Sequence, residues 1–322
     1  MRTAEDTEGL YFLKFIAMFF IVIFHIRVFG GTVFLKSIAR FSVLAFFMIS
    51  GYFTDLTVSP SELSAICRRR ILKSGKLLAE GFLLYFAFEV LVRLWRTEGV
   101  LPFLRSEFSI FNIGKFLLTN VVPCGSHLWY LSALIYVYVL IMILCRTGRL
   151  SFLLRYQKTI VVVLFGINMI CGGTRIFAVD FPECLVRNWL FTGVPAVLLG
   201  NWMRDLKVSQ RNAVALILLG TAESVLSYSC LGACNCFLGS IGIAIGTFSM
   251  ALNFKAAELT GFKSGLFREI CKMGKEDAGN VYVIHLLVAT ILPQTYVYAV
   301  TVCAASLLIS RMINRIQAMC RA

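Results

Sequence analysis

Long apolar runs recur along the chain, separated by basic, glycine-containing or proline-containing breaks. The runs are continuously apolar and do not alternate between polar and apolar positions. Because a segment inside lipid must satisfy its own backbone hydrogen bonds, this pattern predicts membrane-spanning helices and not barrel strands. We predict about ten of them, over residues 10–28, 34–54, 76–95, 128–145, 158–173, 185–203, 212–229, 237–253, 279–293 and 295–310.

The composition agrees with an all-α polytopic membrane protein that forms a single domain over residues 1–322. Hydrophobic residues make up 59% of the chain, charged residues 15%, and the mean hydropathy is +0.82. A water-soluble core needs a more polar surface than this. The first apolar run follows Glu5, Asp6 and Glu8 and lacks a small-residue cleavage site, so we expect it to be retained and not removed as a signal peptide.

The distribution of lysine and arginine predicts that both termini are cytoplasmic. With the N-terminus inside, every predicted inner connection is basic, whereas the outer connections near 230–236 and 293–295 carry no charge. We therefore expect a multi-pass protein of the cell membrane. The net charge of +14 follows from a basic face against anionic lipid and does not indicate a nucleic-acid partner.

The eleven cysteines lie mostly within apolar runs and are interpreted as small hydrophobic packing residues. An outward disulfide, such as one between Cys171 and Cys184, is the alternative, and the pattern does not favour it. The cluster of Cys230, Cys234 and Cys236 has no histidine or carboxylate near it in sequence. We therefore predict no metal site.

Lys14 and His25 lie eleven positions apart in the first predicted helix, and eleven steps of about 100° return to nearly the same face. Their separation along the helix axis is about 16 Å. One face therefore joins a cation near the inner mouth to an imidazole deeper in the membrane. The alternative is that Lys14 snorkels to the headgroups and His25 is a hydrogen-bonded packing residue.

The other two histidines of the chain also fall at the end of a predicted span or inside one. His127 opens the fourth span and His285 lies within the ninth. Ionisable groups in a span are functional candidates by default, and Arg40 in the second span is another. Histidine is suited to accept and return a proton near neutral pH, as an alcohol that attacks a thioester requires.

A basic segment, residues 67–76 (CRRRILKSGK), follows the second predicted span as an inner loop. If this loop runs into the third helix, Arg69 and Lys73 share a face and form a two-pronged site for phosphates. The alternative is the ordinary positive charge of an inner loop.

Other charged residues in the spans are read as structural pairs where their spacing allows it. Glu89 with Arg93, and Lys76 with Glu80, stand four residues apart and are interpreted as ion pairs. Glu223 has no partner that the sequence reveals.

Several of these segments together resemble acyltransferase family 3, whose members are integral membrane acyltransferases that modify sugars and other surface molecules. The segments run in the expected order from residues 13–25 (LKFIAMFFIVIFH) and 46–52 (FFMISGY) through the basic loop. Residues 127–131 (HLWYL), 185–202 (LVRNWLFTGVPAVLLGNW) and 280–285 (NVYVIH) continue the likeness. It covers the chain from end to end.

The resemblance implies transfer of an acyl group, commonly acetyl, from acyl-CoA to a hydroxyl of a glycan or lipid-linked acceptor. Carried over, it makes His25 the catalytic base and Lys14, Arg68, Arg69 and Lys73 the donor-binding cations. Acetyl-CoA is then a co-substrate, and no cofactor is bound permanently. Acceptor-side or supporting roles fall to a further set of residues: Arg40, Ser50, His127, Trp129, Tyr282 and His285.

Two positions depart from the family pattern, because lysine stands at 14 and at 73 where arginine is usual. Lysine keeps the charge but lacks the planar fork that grips phosphate with two hydrogen bonds. Arg68 or Arg70 would then compensate. Ser50 could carry an acyl intermediate, although Ser50 and Gly51 also fit close helix packing.

A proton-coupled transporter or flippase of an envelope precursor is the alternative from another functional class. Ten spans with buried lysine and histidine would suit such a carrier. The sequence shows no convincing internal repeat, which favours the acyltransferase.

Overall fold

The computed structural model describes residues 7–26, 32–174, 179, 181–232, 234, 236–254, 261–295 and 297–320. Most of these residues are helical and none lies in a strand, so the all-α prediction is confirmed for them. The chain forms two compact units. The first comprises Met1–Ile49 with Asp205–Ala322, and the second comprises Ser50–Arg204.

In the described residues, fifteen α-helices follow one another. They are α1 (Glu8–His25), α2 (Thr32–Ala39), α3 (Phe41–Tyr52), α4 (Pro60–Trp95), α5 (Val100–Glu107), α6 (Ile110–Thr119), α7 (Trp129–Arg146), α8 (Leu150–Arg155), α9 (Gln157–Gly173), α10 (Val194–Trp202), α11 (Gln210–Leu231), α12 (Leu238–Asn253), α13 (Gly261–Glu276), α14 (Ala278–Ile291) and α15 (Tyr298–Met319).

The first unit is built around α1, which packs against α2, α12, α13, α14 and α15. Glycines bring its neighbours close. A Cβ on Gly9 of α1 would lie 2.0 Å from the carbonyl oxygen of Ala251, and one on Gly274 of α13 would lie 2.0 Å from that of Tyr11. Because no side chain fits at either place, α1 is held on two sides by direct backbone contact.

The second unit is built around α4 and α7, which pack against each other. Helix α4 has 36 residues and is about 54 Å long. It begins where the Ser59 hydroxyl accepts a hydrogen bond from the backbone N–H of Glu62, with Pro60 as the first helical residue. This start corrects the predicted boundary at 76, because the basic segment 67–76 is helical and not a loop.

Two side chains, one from the last turn of α10 and one from just after it, hold the C-terminal end of α3. Arg204 donates to the carbonyl oxygen of Tyr52 at 3.0 Å, and Asn201 donates to that of Thr54 at 2.9 Å. Arg204 also pairs with Asp55 at 2.5 Å. Carbonyls at a helix end have no partner within the helix, so these contacts satisfy them and place positive charge at the negative end of the dipole.

Two predicted spans prove to be interrupted. The span predicted over 34–54 divides into α2 and α3, with a turn at Arg40. The span predicted over 185–203 starts at Trp189 with a single π turn, Trp189–Gly193, that continues into α10. There the Asn188 side chain accepts hydrogen bonds from the N–H groups of Leu190 and Phe191, and this cap sets the start of the helix.

The connections predicted over 96–127 and 254–278 also contain helices, namely α5 and α6 in the first and α13 in the second. The last helix continues past the predicted end at 310 to Met319. Its Arg311 pairs with Glu269 of α13 at 3.1 Å, which explains why a polar extension remains helical.

Five segments of the described chain are long and apolar enough to cross a membrane. They are Glu8–His25, Val33–Tyr52, Ser126–Arg146, Gln210–Leu231 and Tyr298–Met319. Shorter apolar helices coincide with other predicted spans, among them Gln157–Gly173, Leu238–Asn253 and Ala278–Ile291.

The ion pairs predicted at a spacing of four residues are confirmed. Glu89 and Arg93 are 2.5 Å apart, and Lys76 and Glu80 are 3.6 Å apart. Glu223, which had no predicted partner, accepts hydrogen bonds from the backbone N–H of Gly239 and from the Ser227 hydroxyl. Its carboxylate therefore caps the N-terminus of α12, where the helix dipole favours negative charge.

Candidate functional site

Two histidines that are far apart in sequence lie side by side in the first unit. His25 ends α1 and His285 lies in the middle of α14, and their ring centroids are 5.2 Å apart. His25 is half-buried, whereas His285 has no exposed surface. The Tyr282 ring, one turn before His285 on α14, is 6.3 Å from it. Three of the residues singled out from the sequence therefore form one cluster.

The orientation of the His285 ring is fixed by its own helix. Its Nδ1 lies 2.8 Å from the carbonyl oxygen of Tyr282 and 3.2 Å from that of Val281. Because a carbonyl oxygen can only accept, Nδ1 carries the hydrogen in this arrangement. The neutral ring then presents Nε2 as a proton acceptor, which suits it to orient a neighbouring imidazole or to exchange a proton with it.

Lys14 lies three turns before His25 on α1 and is half-buried. The surrounding positions Leu13, Ala17 and Met18 are buried, so α1 enters the core of the first unit on the adjacent face. Helix α1 is continuous from Glu8 to His25. The common face of Lys14 and His25 is therefore part of one unbroken helix.

Arg40 lies in the turn between α2 and α3 and is buried, with 8% of its surface exposed. Its guanidinium carbon lies 5.1 Å from the ring centroid of Phe24, 5.3 Å from that of Phe237 and 5.8 Å from that of Tyr228. These three aromatic faces stabilise the buried cation. Phe24 directly precedes His25, so Arg40 and the histidine cluster belong to the same part of the first unit.

Ser50 lies in the second unit with its hydroxyl 3.4 Å from that of Tyr130. A Cβ on the adjacent Gly51 would lie 1.9 Å from the carbonyl oxygen of Val197 in α10. The serine–glycine pair is thus placed where two helix backbones meet, as close packing requires. The sequence analysis named Trp129 in the HLWYL segment and missed Tyr130. Tyr130 and Ser50 are eighty positions apart in the chain, so only the fold brings them together.

His127 lies in the short 3₁₀ turn Ser126–Leu128 before α7, Trp129 is the first residue of α7, and both are buried. The His127 ring contacts the ring of Tyr85 on α4, with centroids 4.6 Å apart. The carbonyl oxygen of Trp129 accepts a hydrogen bond from the Asn120 side chain at 3.1 Å, and Arg187 lies 5.6 Å from the Trp129 ring. Both residues are firmly positioned parts of the second unit.

The cations of the basic segment separate into two classes, because successive residues of a helix point about 100° apart. Arg68, Arg69 and Lys73 are exposed on α4. In the described part of the chain, none of these three makes an ion pair or a side-chain hydrogen bond. Arg69 and Lys73 stand four residues apart in one helix, so they share a face. The sequence predicted this arrangement if the basic segment proved to be helical.

Arg70 behaves differently from its neighbours. It donates to the carbonyl oxygens of Ser50 at 3.3 Å and Phe53 at 2.5 Å, and to the Tyr138 hydroxyl at 3.1 Å. These bonds fix the end of α3 against α4 and α7. Arg70 therefore contributes to structure and does not belong to the exposed cationic face formed by Arg68, Arg69 and Lys73.

Asp55, in the connection after α3, is charged at neutral pH. Burial raises the pKa of its carboxyl, but hydrogen bonds from the Thr57 hydroxyl and backbone N–H and the charge of Arg204 lower it, and the net effect is a lowered pKa. The folded state thus favours the carboxylate. The ion pair of Asp55 with Arg204 joins the end of α3 to the end of α10. Neither residue is close in sequence to the exposed cations of α4.

The described residues contain no group of three or more histidine, cysteine, aspartate and glutamate side chains that could hold a metal ion. Cys171 and Cys184 are both free thiols, as are Cys230, Cys234 and Cys236. Among the described residues singled out from the sequence, the groups that could act on a substrate are imidazoles, hydroxyls and cations.

Comparison with known proteins adds one finding. The model of a family described as an acyltransferase domain, acyltransferase family 3, matches residues 8–315. No curated protein and no solved structure matches the chain. The family match includes residues of both units and all the segments on which the resemblance was based, from α1 to α14. The chain therefore belongs to acyltransferase family 3, a family of membrane acyltransferases.

Proposed function

We propose that this membrane acyltransferase moves an acetyl group from acetyl-CoA, bound from the cytoplasm, to a hydroxyl of a cell-surface glycan or a similar acceptor. In this proposal the chain crosses the cell membrane about ten times with both ends cytoplasmic. The residues proposed for chemistry lie in the first unit, together with Lys14, and the other cations proposed for donor binding lie in the second unit.

The observation that carries the proposal is the pair of imidazoles formed by His25 and His285. In the reaction, a ring nitrogen of His25 takes the proton of the acceptor hydroxyl as its oxygen attacks the thioester carbonyl carbon. The new C–O bond forms, the C–S bond breaks, and the proton passes from the imidazolium to the departing CoA thiolate. His285, fixed by its Nδ1 hydrogen bonds, positions the His25 ring and does not itself touch the substrate.

Donor binding is assigned to the exposed cations of α4. CoA carries several phosphates, and Arg69 with Lys73 offers two cations on one helical face, with Arg68 beside them. These side chains are not held by ion pairs in the described chain, so they can bind phosphate without first losing a protein partner. Lys14 on α1 supplies a further cation to the acyl-CoA. No permanently bound cofactor is part of the proposal.

The remaining candidates have supporting roles. Ser50 is proposed as a packing residue and not as a covalent nucleophile, because Gly51 and Val197 meet there by backbone contact. His127 and Trp129 are proposed to shape the acceptor side of the second unit. Arg40 and Tyr282 are proposed to support the histidine cluster of the first.

Family membership favours acyl transfer over the alternative function, a transporter or flippase. A direct assay separates the two functions. Membranes that contain the protein are incubated with acetyl-CoA labelled with ¹⁴C in the acetyl group, and matched membranes without it serve as the control. We expect label to enter glycan or lipid-linked material as an ester that mild base releases. Label that stays in acetyl-CoA or free acetate, with every envelope fraction supplied as acceptor, would overturn the proposal.

A further inference from the structure

A polar cavity of about 420 Å³ opens in the second unit and is lined by none of the residues proposed above for chemistry or donor binding. Its walls come from α4, α5, α6 and the connection before α7. The polar groups that line it are Glu89, Arg93, Glu107, Asn112, Lys115 and Ser126. Sequence reasoning treated Glu89 and Arg93 as a structural pair only, because the other members lie in what was predicted to be a loop.

The charges of this cavity balance. Two carboxylates, Glu89 and Glu107, face two cations, Arg93 and Lys115, so the cavity does not select an anion or a cation by net charge. It offers carboxylate and amide acceptors beside charged donors over the floor formed by Phe103, whose ring centroid lies 4.1 Å from the Arg93 guanidinium. Neutral ligands that are rich in hydroxyl groups both donate and accept hydrogen bonds, and such a ligand satisfies both kinds of lining group.

Hydrogen bonds hold two residues of the connection before α7, and one of them, Cys124, lines the cavity. Asn120 and Cys124 adopt positive φ angles of 54° and 57°, and both are held. The backbone N–H of Cys124 donates to Glu107 at 3.1 Å, and the Asn120 side chain accepts from the N–H of Trp189 at 2.8 Å. Burial raises the pKa of the Cys124 thiol to about 11, and the charges of Glu107 and Glu89 add to this effect, so the thiol stays neutral.

An apolar groove of about 350 Å³ adjoins the polar cavity and shares two of its wall residues, Val122 and Pro123. From there it continues along α4 as far as Gly75. The rest of its lining is apolar and consists of Leu78, Ala79, Phe82, Phe108, Ile113 and Phe116. A polar cavity and an apolar groove with a common wall match a ligand that is polar at one end and hydrocarbon at the other.

We propose that the cavity and groove between α4 and α6 bind an amphiphile, with a hydroxyl-rich sugar head in the polar cavity and its hydrocarbon chain in the groove. Under the proposed function, on which this assignment rests, the amphiphile is the lipid-borne acceptor. A bilayer lipid alone would fill the groove but leave the polar groups of the cavity without a ligand. A free sugar would leave the groove unused.

Photocrosslinking tests this site without any acyl transfer. The protein in lipid nanodiscs, without acyl-CoA, is irradiated with decyl β-glucoside that carries a diazirine within its alkyl chain. We expect label in the peptides that contain Leu78, Phe82 and Phe116, and unlabelled decyl β-glucoside should compete for it. A decyl diazirine without the sugar should label the same peptides at least severalfold less.

Charge-neutral variants test the sugar head. Replacing Glu107→Gln removes an ionised acceptor and should reduce labelling about tenfold, as the loss of a charged hydrogen bond predicts. Glu98→Gln is the matched control, because Glu98 is exposed in the nearby connection and does not line the cavity. Unchanged labelling of Glu107→Gln, or equal labelling of the wild type by the sugar and sugar-free probes, would overturn the site.

Glycine replacements test the hydrocarbon chain. A Cβ on Gly75, which lines the groove, or on Gly114, which does not, meets no atom within 4 Å, so a larger side chain fits at both positions. Gly75→Phe should fill the groove and abolish sugar-dependent labelling, and Gly114→Phe should leave it unchanged. Equal labelling of the two variants would contradict the proposal. Because no donor is present, failure here is distinct from failure of acyl transfer.

Discussion

The histidine cluster and the cationic face of α4 contain similar numbers of ionisable groups but differ in how the protein surrounds them. His285 is completely buried and its ring is fixed by backbone carbonyls, and His25 is half-buried beside it. Arg69 and Lys73 are exposed and have no partner in the described chain. Fixed, shielded imidazoles suit a chemical step, whereas exposed cations suit reversible binding of a charged donor.

Arg70 gives the largest expected effect on stability, and it sharpens the comparison because it is adjacent to Arg69. Replacing Arg70→Ala removes three hydrogen bonds and leaves the carbonyls of Ser50 and Phe53 at the end of α3 without this donor. We expect a loss of about 3 kcal/mol, seen as a lower melting temperature in detergent. Arg69→Ala is the control and should melt as the wild type does. Equal melting of both variants would mean that the two arginines are equivalent.

His285 tests the histidine cluster through a positioning role. His285→Gln keeps the size and polarity of the side chain but cannot exchange a proton, and we expect kcat to fall roughly 10- to 100-fold with the donor KM unchanged. The dependence of kcat on pH should also change, because the second imidazole of the pair is lost. A variant whose rate and pH profile match those of the wild type would exclude a role for His285 in positioning His25.

Variants of the cationic face of α4 should show the opposite kinetic pattern, with a change in KM and not in kcat. Changing both Arg69→Gln and Lys73→Gln should raise the apparent KM for acetyl-CoA about tenfold with little change in kcat, because both charges are proposed to bind donor phosphates. Added salt should raise the wild-type KM and have less effect on the double variant. Lys76→Gln is the matched control, since Lys76 is already paired with Glu80. An unchanged KM in the double variant would remove the donor role.

Asp55 gives the smallest expected effect, which depends on pH. Its pKa is lower in the folded state than in the unfolded chain, so its stabilising contribution is present at neutral pH and lost as the pH falls through the acidic range. Asp55→Asn should therefore cost about 1 kcal/mol at neutral pH, since the pair with Arg204 is partly exposed. The difference in melting temperature between variant and wild type should narrow toward acidic pH. A difference in melting temperature that does not change with pH would mean that the effect comes from packing and not from the charge of Asp55.

The positions of most helices were predictable because a membrane helix is specified by a local run of apolar residues. The polar half of α4 was not found by that rule, although the Ser59-Pro60-Ser61-Glu62 sequence is a recognisable helix start. The turn at Arg40 and the cap at Asn188 were missed because each is a polar residue inside an otherwise apolar run.

The site was less predictable, because contacts between distant helices decide it. The sequence could place Lys14 and His25 on one face, since they share a helix, but the partnership of His25 with His285 joins α1 to α14. The different roles of Arg69 and Arg70 could not be read from two identical neighbours. They depend on which carbonyls α3 presents to α4.

The central claim is that His25 performs the chemistry and does not hold the donor. Purified His25→Ala protein, shown by its melting temperature to be folded, should be compared with the wild type for acetyl-CoA binding by isothermal titration and for transfer of labelled acetyl. The account predicts a donor Kd within about twofold of the wild type and a transfer rate reduced by at least about 100-fold. A folded His25→Ala protein that transfers acetyl at the wild-type rate would contradict it.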